Sequence, residues 1–385
     1  MTRSPYALSR DEYHKGLLTR DYQRWEERTL REIYADFDFV QEFGRTFPVV
    51  VLEGSDSVSY PFRELNEPQN LLETDNPIDY SDMPGVSDFR RIVGPNVHFP
   101  NLYGFTNNGI VLDDQRKVRG FRARPRTYKE TVFSGHVMHY ELWRAYCQVK
   151  GARKGTLSDL PIREAIHAGR ESWDVLLSGC NRSALCDVCM AILAYDEIEC
   201  DYDIAVATRS DKVACYPGYL SIIPSGGFEL YELEERQNPL MIKKNFSIVA
   251  ALYREYIEEI FGDEDFDSAT GDDDLRRLYR NIHIKELRRG MGKTYFFEFL
   301  GVSFDVISLR PTFSFVLRID DPDFLYENEI RKNQENVDIR FISLRDFEDA
   351  VMQSQDSSPL MAESAGVYRL LKSNHLFQEA MSANP

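Results

Sequence analysis

The chain has 385 residues, enough for two domains of the usual ~100–200 residues, and its 43% hydrophobic and 12% aromatic content can bury real cores. A formal net charge of −17 argues against nonspecific binding to nucleic acid or to an anionic membrane surface. No stretch approaches the ~18–20 apolar residues of a membrane span, and the opening MTRSPYALSRDEYHKG lacks the basic-then-apolar layout of a secretory signal, so a soluble, cytoplasmic protein is expected. Along the chain, Asp21–Tyr34 carries Trp25, Leu30 and Tyr34 at helical intervals and reads as a helix. Phe47–Leu52 reads as a strand, and prolines from Pro61 to Pro100 punctuate a loop-rich stretch after it. Tyr103–Leu112 and Val118–Arg124 read as strands around a turn at Asp113–Arg116. His139–Cys147 and Pro161–Ser172 read as helices. A boundary is expected near residue 175, leaving residues 1–175 as a separate α+β domain without a motif that points to a function.

The second unit, residues 176–385, is patterned differently. Leu185–Tyr195, Asp203–Arg209 and Tyr219–Pro224 read as strands, Ser247–Phe261 as a helix, and Thr294–Ile307, Thr312–Ile319 and Val337–Ser343 as further strands. Ala362–Ala380 reads as a closing helix. Strands interrupted by a central and a terminal helix predict an α/β/α sandwich with a mixed sheet between the helices.

The cysteines crowd between Cys147 and Cys215. Cys186 and Cys189 form a CxxC, the spacing of a zinc or redox pair, but a second pair is missing. Residues three apart on a strand point to opposite faces, so buried reduced thiols are expected.

In the helix Ser247–Phe261, Val249, Leu252, Tyr253, Tyr256 and Ile260 form one apolar stripe. Glu255 precedes Glu258 and Glu259 by three and four residues, so the three carboxylates share a patch and repel one another. A hard cation with oxygen ligands relieves that repulsion, and Mg²⁺ suits a site that also takes phosphate oxygens. A solvated acidic face is the plainer alternative for such a helix.

Arg254-Glu-Tyr-Ile-Glu-Glu259 with Gly262 resembles the second half of the Nudix box, R-E-x-x-E-E-x-G. Ile223-Pro-Ser-Gly-Gly-Phe-Glu229 ahead of it is similar to the family's P-G-G-x-x-E loop, and Ala207–Ser210 and Tyr216–Gly218 resemble runs found further upstream. The resemblance covers about 180 residues in order and implies a Nudix-like domain. It further implies Mg²⁺ or Mn²⁺ held by Glu255, Glu258 and Glu259, with Glu258, Glu259 and Arg254 in the catalytic set. Gly226, Gly227 and Arg209 would meet a nucleotide-like substrate, and the reaction would be hydrolysis of a nucleoside-diphosphate-linked compound. Two departures stand against catalysis. Phe246 occupies the position of a glutamate eight residues before the box arginine, and residues 230–245 lengthen the loop. A regulatory protein that senses a nucleotide without cleaving it is therefore the rival reading. An interaction module using the acidic face is a third, and the oligomeric state stays open, a homodimer included.

Other signals carry less. Asp263–Asp274 imitates part of a calcium-binding loop but lacks its glycine and final glutamate, and Gly290–Thr294 imitates the end of a P-loop without the leading strand. Arg122–Arg126 is a basic patch expected to balance nearby carboxylates, and His136 and His139 are expected to be structural.

Overall fold

The structure is a computed structural model that describes residues 9–73, 75, 78–93, 103–210, 213, 216–230, 239–263, 274–328, 330–331, 336–355 and 358–382. The calcium-loop look-alike, apart from its ends, and Cys215 lie outside these residues.

Two helices open the described chain. Ser9 caps Arg10–Leu17 (α1) in a capping box with Glu12, and Arg20–Ile33 (α2) buries Trp25 and Leu30 completely. Strand β1 is Val49–Glu53. A hairpin of Tyr103–Leu112 (β2) and Val118–Thr127 (β3) follows, as the turn residues between them predict. Helices α3 (Val137–Val149), α4 (Pro161–His167) and α5 (Ser172–Ser178) complete the first half. A single helix was expected over 161–172. It stops at His167 because Ala168 and Gly169 turn left-handed, at φ 47° and 76°, and the chain restarts as α5.

The second half supplies Asp187–Asp196 (β4), Asp201–Arg209 (β5), Leu220–Ile222 (β6) and Ser225–Gly227 (β7). Helix α6 (Ile248–Phe261) and Ile282–Gly290 (α7) precede Tyr295–Asp305 (β8), Arg310–Ile319 (β9) and Asn336–Ser343 (β10). Leu344–Ser354 (α8), Ala362–Lys372 (α9) and His375–Ser382 (α10) close the chain. The expected closing helix is thus two. Asn374 accepts a bond from the Leu376 N–H at 2.8 Å, which starts a new helix where one long one was expected.

The sheet runs β10-β5-β4-β9-β8-β1, with β6 paired to β5 and β7 to β4. It is mixed, because β4 and β9 are parallel while its other pairs are antiparallel. Alternation along β4 divides two cores. Val188, Met190 and Ile192 meet α6 on one face, while Cys189, Ala191 and Leu193 meet α8, α9 and α10 on the other. This is the expected α/β/α sandwich. Cys186 and Cys189 fall in different cores as free, buried thiols, and burial pushes both well above the ordinary thiol range.

The first half is joined closely to this sheet. Strand β1 pairs with β8 from Val49↔Asp305 to Glu53↔Gly301. Hairpin β2–β3 lies over the segment after β7: Phe105 N–H donates to the Phe228 carbonyl at 2.8 Å, and Leu230 N–H to the Tyr103 carbonyl at 2.7 Å. No helix of the described residues is long and apolar enough to cross a membrane.

Candidate functional site

Helix α6 begins where Ser247 accepts a bond from the Ala250 N–H and ends at Gly262, left-handed at φ 65°. The predicted stripe is buried, but so is most of the opposite arc. Arg254 is 8% exposed, Glu255 6% and Glu259 2%, while Glu258 is half-buried. A solvated acidic face is thereby excluded for Glu255 and Glu259. Burying a carboxylate is costly unless it is hydrogen-bonded or paired, so the contacts of these groups define the site.

Both oxygens of Glu259 accept a bond. Oε2 takes the Ser225 N–H at 2.6 Å and Oε1 takes the Asn336 amide at 2.7 Å, so the side chain ties β7 and β10 to the helix. Glu255 packs on the glycine loop: a Cβ on Gly226 would stand 2.2 Å from its carboxylate carbon. A Cβ on Gly227 would stand 2.8 Å from Oε1 of Glu229. The two glycines therefore let carboxylates approach the backbone. Arg254 donates to the Glu229 carbonyl at 3.1 Å and holds the segment after those glycines. Phe246 stacks on Phe228 at 5.8 Å and 16°, with Phe105 at 4.9 Å and Phe121 at 5.8 Å. An aromatic cluster shared with the β2–β3 hairpin thus fills the position where the family pattern carries a glutamate.

Gly226, Gly227, Arg254, Glu255 and Glu259 come together at this junction, and Glu258 shares their helix. Yet among the described residues no three His, Cys, Asp or Glu side chains form a group that could hold a metal ion. The Glu255, Glu258 and Glu259 set does not fit a three-carboxylate cation site as it stands. Glu259 is held by Ser225 and Asn336, which fix its position between β7 and β10.

Arg209, at the end of β5, belongs to a second group of charges. Arg310 forms an ion pair with Asp187, donates to the Leu185 carbonyl at 3.3 Å, and lies 2.5 Å from Nε2 of His136. Burial raises the pKa of Asp187, and Arg310 and then Arg209 oppose that rise. Glu363, at the start of α9, is raised likewise by burial and by Asp187 and Asp305. Asp305 is raised by burial although it accepts bonds from the Tyr216 hydroxyl, the backbone of Ile307 and Ser308, and the Ser308 hydroxyl. Burial and Arg310 push His136 well below its ordinary range. Sequence reasoning missed this cluster, since His136, Asp187, the Asp305–Arg310 hairpin and Glu363 are four segments far apart in the chain. The one signal available was Asp187, a charge inside an apolar run.

The lesser signals resolve simply. Gly290–Thr294 joins a helix to a strand, the reverse of a P-loop's order, and Arg288 lies over the Tyr279 ring. Arg124 and Arg126 form ion pairs with Asp75, and Arg126 also pairs with Glu130 at 2.9 Å, so the basic patch balances carboxylates as expected. His139 is buried against the Tyr216 ring at 4.9 Å.

No family model and no curated protein matches the chain. Among solved structures, it is similar to a bifunctional NMN adenylyltransferase/ADP ribose pyrophosphatase from Francisella tularensis, complexed with AMP and a manganese ion. That match has 13% identity and a TM-score of 0.26 and covers 49% of this chain and 41% of that one. It is also similar to the NUDIX domain of Shewanella oneidensis NrtR complexed with ADP ribose, at 12% identity and a TM-score of 0.27, over 57% of this chain and 97% of that one. The chain thus spans well under half the length of the Francisella protein. Likenesses this slight carry no argument, and the functional reading rests on the residues of the site.

Proposed function

We propose that a Nudix-like fold built mostly from residues 176–385, its sheet completed by β1, binds a nucleotide-like diphosphate without cleaving it, and that the rest of residues 1–175 pass on its state. The observation that carries this reading is Glu259. Both oxygens of Glu259 accept bonds that hold β7 and β10 to α6, so the side chain serves as a fixed tie between the helix and two strands, with only one lone pair left on each oxygen. Phe246 in the aromatic cluster supports the same reading, because the loop position that would carry a further carboxylate is given over to packing. Support for a sensing role of the first half comes from hairpin β2–β3, which bonds directly to the segment after the glycines. Arg209 would meet the anionic part of the ligand.

Isothermal titration of ADP-ribose and related nucleoside diphosphates, with and without Mg²⁺ or Mn²⁺, tests this. Wild type and a Glu258→Gln, Glu259→Gln double variant are compared, and released phosphate and nucleoside monophosphate are assayed in the same samples. Ligand binding without turnover is the expected result. Turnover that the double variant abolishes would restore metal-dependent hydrolysis, with Glu255, Glu258 and Glu259 rearranged around Mg²⁺ or Mn²⁺. Absence of any nucleotide binding would overturn both readings.

A further inference from the structure

The sheet ends on one side at β10, which pairs only with β5 among the described residues. The Ala205 carbonyl accepts from the Ile223 N–H at 3.2 Å, and the Arg209 N–H donates to the Tyr219 carbonyl at 2.9 Å. The odd-numbered residues of β5 thus turn their backbone groups toward β6 and the segment around it. Its even-numbered residues Ile204, Val206 and Thr208 bond instead to their partners Ile342, Arg340 and Asp338. Ile339 and Phe341 alternate with these and turn their N–H and C=O groups outward. Among the described residues, no strand, isolated bridge or other backbone bond meets them there.

An open edge is a template for a further strand, and proteins often guard it with charges that repel a partner. The charges on β10 have opposite signs. Asp338 and Arg340 flank Ile339, with 47% and 45% of their side chains exposed, and pair with each other at 3.0 Å. Val337 beside them is 51% exposed, while Ile339 and Phe341 pack partly against the core that α6 shares.

A second strand of the same sequence, antiparallel about a two-fold axis at Ile339, complements this pattern. Asp338 then faces the second copy's Arg340, and Arg340 faces its Asp338. These are non-hydrogen-bonded positions, where opposed Cα atoms come closest, about 4.5 Å. Val337 falls opposite Phe341, and the two Ile339 residues exchange backbone bonds. Moving the axis one residue either way sets Asp338 against Asp338 or Arg340 against Arg340, and like charges directly opposite are destabilising. Charge alone therefore selects one register over its neighbours.

We propose that β10 pairs with β10 of a second copy of this chain, antiparallel and centred on Ile339, so that one sheet runs through both copies. The pairing would also brace Asn336 on the same strand, whose amide holds Glu259.

Sedimentation of the full chain at rising concentration tests the pairing. Wild type dimerises. Arg340→Asp makes the flanking charges wholly acidic and Asp338→Arg makes them wholly basic, so each variant alone dimerises at least about tenfold more weakly. An equimolar mixture of the two variants restores the dimer, because an acidic edge then faces a basic one. Circular dichroism checks that each variant is folded. Hydrogen exchange decides the matter on unaltered protein should a variant fail to fold: the Ile339 and Phe341 amides exchange more slowly as wild type is concentrated. A wild type that stays monomeric up to its solubility limit overturns the proposal. So does a dimer indifferent to both charge reversals, a mixture of folded variants that stays monomeric, or exchange at these amides that ignores concentration.

Discussion

Glu26 sits fully buried on α2, accepting a 2.5 Å bond from the Tyr22 hydroxyl with Nε2 of His139 3.6 Å away. Burial lifts its pKa from 4.5 to about 8, against the lowering effect of the Tyr22 bond. The folded chain therefore holds a proton here that the unfolded chain has released, and the stability tied to that proton is whole below pH 4.5 and lost as pH rises through 8. His139 behaves oppositely. Burial and His14 lower it to about 3, so the stability it contributes is present above 6.5 and fades as pH falls toward 3. Glu26→Gln keeps an acceptor for Tyr22 and removes the titration, so it should flatten the decline between pH 5 and 8.5 by about 1–3 kcal/mol, read from urea midpoints at each pH. A decline as steep as wild type would place the titration elsewhere. At the glycine loop, Gly226→Ala puts a methyl group 2.2 Å from the Glu255 carboxylate carbon and forces that side chain to move. A loss of about 1–3 kcal/mol is expected in urea unfolding. Glu259→Ala strands the Ser225 N–H and the Asn336 amide, and a comparable loss of about 1–3 kcal/mol should appear in the same measurement.

Among the elements, those with strong periodicity were legible before any coordinates. Strands β2, β4, β5, β8 and β9 and helix α6 stand within a few residues of where their patterns put them. The misses have local causes. Gly169 was a stop signal within Pro161–Ser172, but the residue that first turns left-handed is Ala168, which is not glycine. Asn374 looks like an interior polar residue until its side chain is seen to cap Leu376 while its amide bonds Glu298 at 2.9 Å. Asn374→Ala should cost about 1 kcal/mol in thermal or urea unfolding, the usual loss for an N-cap. The candidate site was legible to the same degree. Gly226, Gly227, Arg254, Glu255 and Glu259 do meet, because local spacing on a helix and a glycine turn governs them. Their buried partners were not legible, since Asn336 lies 77 residues beyond Glu259 and no periodicity links the two.

At the scale of the molecule, the sheet draws its edge strand β1 from the first half and every other strand from the second. One core includes Trp25, Phe62 and Phe121 with Ile192, Phe313 and Tyr253. A fragment of residues 176–385 alone would expose the edge of β8 and the residues that Phe62 and Phe121 cover. It should aggregate or unfold without a sharp transition, whereas the full chain unfolds cooperatively; circular dichroism and light scattering on both make the comparison. A soluble fragment with a sharp transition of its own would show the two parts to be independent folding units.

The pairing of β1 with β8 also sets a timetable. Leu52 must find Val302, and the parallel neighbours Asp187 and Thr312 are likewise far apart in the chain. On a ribosome adding about 5–20 residues per second, the segment that will become β1 waits roughly 10–50 s for its partner to be made. Throughout that interval the run Val49–Leu52 is an apolar strand without a sheet, the kind of segment that chaperones hold and that aggregates when they do not. Yield in cells should therefore respond to translation speed and chaperone supply more steeply than the stability of the finished protein would suggest.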